Sequence, residues 1–243
     1  MYQPMFHLFY KITIKIKLFI SLLLNFIFVV LRISLFKPRI IYIGDSHAHF
    51  ISGNKKNLKR FSVTHDNKLI IYLGPKLLYW ISVNGFRLNK TSKVVLRIAG
   101  NKQCIVIVLG EIDCRVHFVE KTLFLGTKEF DKIALGYKNS VIMLLNTYRL
   151  SRAFIIAPIP ASDLGLDNPR FPRGGLLHER VLVTKMLTES LVSISSFQFT
   201  VMDCFSVVSN NNGSLNIKYT DDGVHLNFFG LKKLTDNTNF KNI

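Results

Sequence analysis

The stretch Ile40-Ile41-Tyr42-Ile43-Gly44-Asp45-Ser46-His47 runs four apolar, strand-favouring residues straight into Gly-Asp-Ser. A short apolar run closed by turn residues reads as a strand buried on both faces of a parallel sheet, with the turn leading into a helix. That junction presents the Ser46 hydroxyl at a helix N-terminus, among backbone N–H groups able to hold an oxyanion. Two readings fit Gly-Asp-Ser on its own: a nucleophile, or a serine that caps the helix.

Four more runs of the same kind follow, at residues 69–73 (LIIYL), 104–109 (CIVIVL), 153–157 (AFIIA) and 199–203 (FTVMD). Segments 130–150 and 176–196 carry apolar residues at three- and four-residue spacing and predict helices. Strands alternating with helices in this way predict an α/β fold with five parallel strands covered on both faces. Residues 158–175 hold four of the seven prolines. They form a loop at the C-terminal end of the fourth strand, the end at which open α/β sheets bind ligands. The Asn-, Gly- and Ser-rich residues 209–214 predict a surface turn.

Hydrophobic residues make up 49% of the 243 and charged residues 19%, a balance that buries a core and argues against disorder. Lys and Arg number 32 against 15 Asp and Glu, a net charge of +17. Such a charge suits an anionic membrane, an acidic glycan or nucleic acid. Runs such as Lys55, Lys56, Lys59 and Arg60, or Lys232 and Lys233, read first as solvated faces. They lack interleaved aromatic residues, so no nucleic-acid partner is expected. The three cysteines, Cys104, Cys114 and Cys204, have no C-x-x-C spacing and suggest neither a disulfide framework nor a zinc ribbon. Free thiols lean towards a reducing compartment.

Residues 18–36 are apolar apart from Ser21, Asn25, Arg32 and Ser34, close to the ~20 residues that cross a bilayer core. They predict membrane association, as a single N-terminal anchor or as a helix in the plane of the membrane. A helix packed on the chain's own core or on a partner is the alternative. Bulky and charged residues stand where a signal-peptide cleavage site needs small ones. Lys11, Lys15 and Lys17 before the run balance Arg32, Lys37 and Arg39 after it, so loop charge sets no orientation. The expected organisation is a membrane-associating segment over 1–38 and one further domain over 39–243.

A second motif lies near the C-terminus: Asp221-Asp222-Gly223-Val224-His225-Leu226-Asn227, then Phe228-Phe229-Gly230. A serine hydroxyl is a poor nucleophile unless a base lies within hydrogen-bond reach, and the base needs a carboxylate to fix its tautomer. Asp222 and His225, three residues apart in a tight turn, can supply both. The two motifs together resemble those of the SGNH/GDSL hydrolase family, over roughly residues 39–235. The resemblance implies a three-layer α/β/α sandwich with a doubly wound, flavodoxin-like sheet. It also implies Ser46 as nucleophile, His225 as base, Asp222 as its orienter, and no cofactor. Gly74, in Tyr72-Leu73-Gly74-Pro75, stands where the family takes a backbone oxyanion donor, and it equally fits a plain turn glycine. His47 directly after the serine resembles the Gly-Asp-Ser-His variant of SGNH domains attached to membrane acyltransferases that modify surface polysaccharides. The activity implied is hydrolysis or transfer of an O-acyl, notably acetyl, ester on a carbohydrate.

The family's third block, Gly-x-Asn-Asp, is replaced here by Gly110-Glu111-Ile112-Asp113-Cys114-Arg115-Val116-His117, with Ile112 where the Asn side chain would donate to the oxyanion. Losing one such donor slows a reaction by about 10²- to 10³-fold. Arg115 is the expected substitute or a grip for an acidic substrate group, with an ion pair to Glu111 or Asp113 as the alternative. Asp113, Glu111, His47 and His117 are expected to add polar contacts around the substrate. No metal is expected: a helix begins at Ser46, and His47 and His49, two apart on it, diverge. Two other readings remain open, a silent glycan-binding relative and a membrane-tethered basic module.

Overall fold

Along β1 (Ile40–Gly44) successive side chains point to opposite faces, and both sets are apolar. Ile41 and Ile43 enter a large core with Leu69, Ile71, Ile105, Ile107, Ala153 and Ile155. Ile40 and Tyr42 enter a second core with Ile70, Val106, Phe154 and Ile156. A sheet that is apolar on both faces is stable only between two helical layers. The computed structural model, which describes residues 3–53, 59–119, 126–164 and 172–237 and side chains from Tyr10 onward, has that architecture. Lys55 and Lys56 of the basic run, and residues 165–171 of the proline-rich loop, lie outside the described residues.

The remaining strands are β2 (Phe61–Val63), β3 (Lys68–Tyr72), β4 (Cys104–Val108), β5 (Arg152–Ile156) and β6 (Phe199–Met202). They lie in the order β2-β3-β1-β4-β5-β6. The large core is covered by α3 (Leu78–Asn84), α4 (Lys90–Ala99), α5 (Thr127–Tyr148) and α6 (Leu177–Ser193). The second core lies under α2 (Ser46–Ile51), α7 (Cys204–Val208) and α8 (Phe228–Asn237). The result is a three-layer α/β/α sandwich, with five of its strands parallel as expected. The sixth, β2, is an addition to the expected five. It pairs antiparallel with β3 through Phe61↔Ile71 and Val63↔Leu69. Three residues are too few to show a period, and what fixes β2 is the turn at Thr64 to Asn67, where Asn67 takes a left-handed φ of 62°.

The N-terminal helix α1 (Gln3–Leu35) packs on this body through its C-terminal part. Val29 and Ile33 are fully buried in the large core, and Phe26 meets Phe61 with ring centroids 6.2 Å apart. The Asn25 amide donates to the Phe61 carbonyl (3.1 Å) and the Arg32 guanidinium to the Thr64 carbonyl (2.9 Å). Residues 10–24 are exposed throughout. Residues Tyr10–Leu35 are long and apolar enough to cross a membrane.

β1 sits centrally, flanked by β3 on one side and β4 on the other, with Gly44 level with Tyr72 and Val108. The chain leaves β1 towards β3 and returns across it to β4, which opens the crevice in which doubly wound sheets hold ligands. Gly44 is required there, because a Cβ at this position would collide with the Val108 carbonyl oxygen in the neighbouring strand. Gly44→Ala is therefore expected to destabilise the protein by about 1–3 kcal/mol, read as a lower midpoint in urea unfolding.

Candidate active site

At the end of β1 the Asp45 carboxylate accepts the His47 backbone N–H (2.9 Å) and caps α2, which turns the chain so that Ser46 opens the helix. The partner turn is built by Asp222. One of its carboxylate oxygens accepts the backbone N–H groups of Val224 (2.9 Å) and His225 (2.7 Å). The other lies 2.7 Å from His225 Nδ1. Gly223 in this turn has φ +76°, and a Cβ on it would strike the Leu164 carbonyl, so the Asp-Gly-x-His spacing depends on glycine. Thr220 Oγ1 accepts the Gly223 N–H (2.8 Å). Asn227 donates to Asp221 (3.1 Å) and accepts from the Gly230 N–H (3.1 Å), tying the turn to α8.

These two turns meet. Ser46 Oγ lies 2.9 Å from His225 Nε2, so serine, histidine and aspartate form one hydrogen-bonded chain. Ser46 is half-buried and His225 is 5% exposed. Burial and the neighbouring His47 charge lower the His225 pKa against the pull of Asp222, which favours the neutral ring. Asp222, despite burial, is held well below the usual carboxylate range by its bonds to His225.

His47 makes a second link between the same turns. Its Nδ1 faces Asp45 Oδ1 (2.9 Å) and its Nε2 faces the Val224 carbonyl (3.0 Å). Both partners are acceptors, so both ring nitrogens must donate and the ring is an imidazolium. Burial opposes that charge, but Asp45 outweighs it and lifts the pKa to about 9. The ring is 2% exposed and stands 4.6 Å from the His225 ring, centroid to centroid. It also lines a small cavity with Asp45, Glu111 and Ile156 at the ends of the strands. Phe50, one helical turn after Ser46, stacks on His225 at 4.0 Å and 14°. Sequence reading passed over Phe50, and the i, i+4 spacing from Ser46 is the signal it carried.

The third block supplies support. Asp113 is fully buried, and its carboxylate accepts the N–H groups of Leu78 (2.7 Å) and Tyr79 (3.2 Å) at the start of α3. Burial pushes it up to about 7 against those donors. Arg115 donates from Nε to Glu111 (2.6 Å) and from its terminal nitrogen to the Pro172 carbonyl. Of the two expected ion-pair partners, Glu111 is the one engaged. Arg180, also buried, pairs with Asp163 and donates to the Gly175 carbonyl (3.2 Å). Glu111, Arg115 and Arg180 line a small polar pocket against Gly223 and Val224. His117 is exposed. Gly74, with φ +78°, follows Leu73, whose N–H donates to the Gly44 carbonyl (2.8 Å), so it stands beside the end of β1. His49 points elsewhere, 3.1 Å from the Lys59 carbonyl.

A chain from Streptococcus pneumonia, provisionally described as a platelet activating factor, has a similar structure over 92% of this chain and 96% of its own (TM-score 0.54, 14% identity). The fold is that of the SGNH/GDSL hydrolases. Est24, a carbohydrate acetylesterase from Sinorhizobium meliloti, is similar over 82% of this chain and 94% of its own (TM-score 0.46, 16% identity). The M. Smegmatis aryl esterase is similar over 81% and 94% (TM-score 0.47, 17% identity). No family model matches the sequence, and comparison with curated proteins returns no match.

The His47 geometry has a consequence for pH. Its folded pKa lies above the ordinary 6.5, so its contribution to stability is complete below about pH 6.5 and is lost as pH rises through about 9. Denaturant unfolding between pH 6 and 10 should show this loss in the wild type and not in His47→Gln. In ¹⁵N NMR titrations of the ring nitrogens, the same substitution should raise the His225 midpoint, because it removes an adjacent positive charge.

Proposed function

We propose that the chain cleaves or transfers an O-acyl ester, notably an acetyl ester, through Ser46, His225 and Asp222. The observation that carries this reading is the continuous chain of short hydrogen bonds from Ser46 through His225 to Asp222. Ser46 attacks the ester carbonyl while His225 Nε2 takes the hydroxyl proton. Asp222 keeps the other ring nitrogen protonated and stabilises the imidazolium that forms. The tetrahedral oxyanion is held by the backbone N–H groups of Ser46 and Gly74. His225 then returns its proton to the leaving alcohol, and an acyl-serine remains. Water as the next nucleophile makes the chain an esterase, and a sugar hydroxyl makes it an acetyltransferase.

The substrate we propose is an acylated carbohydrate or cell-surface glycan, on the resemblance of Gly-Asp-Ser-His to glycan-modifying SGNH domains. The basic surface and the apolar N-terminal helix suit work beside an anionic membrane. Glu111, Arg115 and Asp113 are proposed as the supporting frame of the crevice, since Glu111 and Asp113 are buried, Arg115 is half-buried, and all three are bonded to protein atoms. A slow or silent, glycan-binding role is the second reading. Ile112 in the place of an oxyanion donor, with Arg115 held by Glu111, favours it.

A serine-directed fluorophosphonate followed by peptide mapping should label Ser46 in the wild type and leave His225→Ala unlabelled. Ser46→Ala should lose p-nitrophenyl acetate hydrolysis by about 10⁴-fold. A wild type that takes no label would move the assignment to the silent reading. Since the His225 pKa is lowered, the acidic limb of kcat/KM should lie below the ordinary histidine value of 6.5.

A further inference from the structure

We infer that α1 lies in the plane of a membrane and seats the catalytic body on the bilayer surface, and does not cross it. The inference rests on the membrane association proposed above and specifies its geometry. A crossing needs about 30 Å of hydrocarbon-compatible helix at 1.5 Å per residue. From Asn25 onward α1 is committed to the protein: Asn25 and Arg32 bond to carbonyls of Phe61 and Thr64, and Val29 and Ile33 are buried in the large core. Residues 18–24 are free and uncharged, and they supply only about 10 Å. Extending the free part towards the N-terminus places Lys11, Lys15 and Lys17 inside the hydrocarbon, where charged side chains are strongly disfavoured. A crossing thus requires either prying α1 off the body or burying three lysines.

The helix surface is arranged for the alternative. Lys11, Lys15, Leu18 and Leu22 continue the same i, i+3/i+4 stripe as Phe26, Val29 and Ile33, so the first two lysines point to the side on which the body sits. On the opposite side Ile16, Ile20, Leu24, Ile27 and Leu31 are all exposed, an unbroken apolar stripe along the helix. Lys17 and Asn25 line a groove with Lys59 and Arg60 of the body. Lys17, Lys59 and Arg60 sit at the flank of the apolar stripe, at the level where anionic headgroups meet an in-plane helix. The occupant of the stripe is therefore an anionic lipid surface.

The test uses the full chain. Purified protein is sedimented with vesicles of phosphatidylglycerol and phosphatidylcholine, and Ile20→Lys/Ile27→Lys should bind at least about tenfold more weakly with acyl-ester activity unchanged. Undiminished vesicle binding by that variant overturns the inference. In a Cys104→Ser background, Lys11→Cys and Asn101→Cys on the body should both react with a membrane-impermeant maleimide from the same side of sealed vesicles. Reaction from opposite sides overturns the in-plane placement and leaves membrane association standing. A wild type that binds no vesicles refutes membrane association itself, and with it the inference.

Discussion

The meeting of two turns, residues 45–47 and residues 222–225, is the contact on which the rest of the structure depends. They are separated by 179 residues between Ser46 and His225, yet they are joined at Ser46 to His225 and again at His47 to the Val224 carbonyl. A single hydrogen bond to a serine hydroxyl would leave the histidine ring free to swing. The second bond fixes the backbone immediately before it, and Asp222 fixes ring and backbone together. Reactive geometry at the scale of half an ångström comes from such redundant restraint.

The restraint relies on paired charge, much of it buried. Asp45 pairs with the buried His47, Glu111 with the half-buried Arg115, and the exposed Asp163 with the buried Arg180. Buried pairs contribute little net stability, because desolvation offsets their attraction, whereas breaking one strands a charge. Their effect here is positional. His47, held by Asp45, reaches the second turn through the Val224 carbonyl, and Arg115 and Arg180 hold the carbonyls of Pro172 and Gly175. Asp113 serves the same end on the other side by holding the start of α3.

α1 meets the edge strand β2, whose Phe61 carbonyl and ring receive Asn25 and Phe26, and its Val29 and Ile33 enter the large core. An edge strand exposes unpaired backbone groups, and covering it with a helix is a common solution. The covering helix also carries exposed apolar side chains from Ile16 to Leu31. The candidate active site and the apolar helix are thereby carried on one sheet.

The sequence by itself determined the five parallel strands, because each is a short apolar run bounded by turn residues. It also determined the candidate triad, because Gly-Asp-Ser and Asp-Gly-x-His each encode their own turn: Asp45 and Asp222 cap locally and Gly223 alone tolerates the backbone it adopts. β2 was not legible, since three residues carry no period and its existence depends on a strand it must first meet. Nor was the link from His47 to the Val224 carbonyl, the choice of Glu111 for Arg115, or the stacking of Phe50. These were decided only by the tertiary structure. A side chain's partner across more than a hundred residues is set by where the sheet register and crossovers bring the backbone, and no local pattern records that.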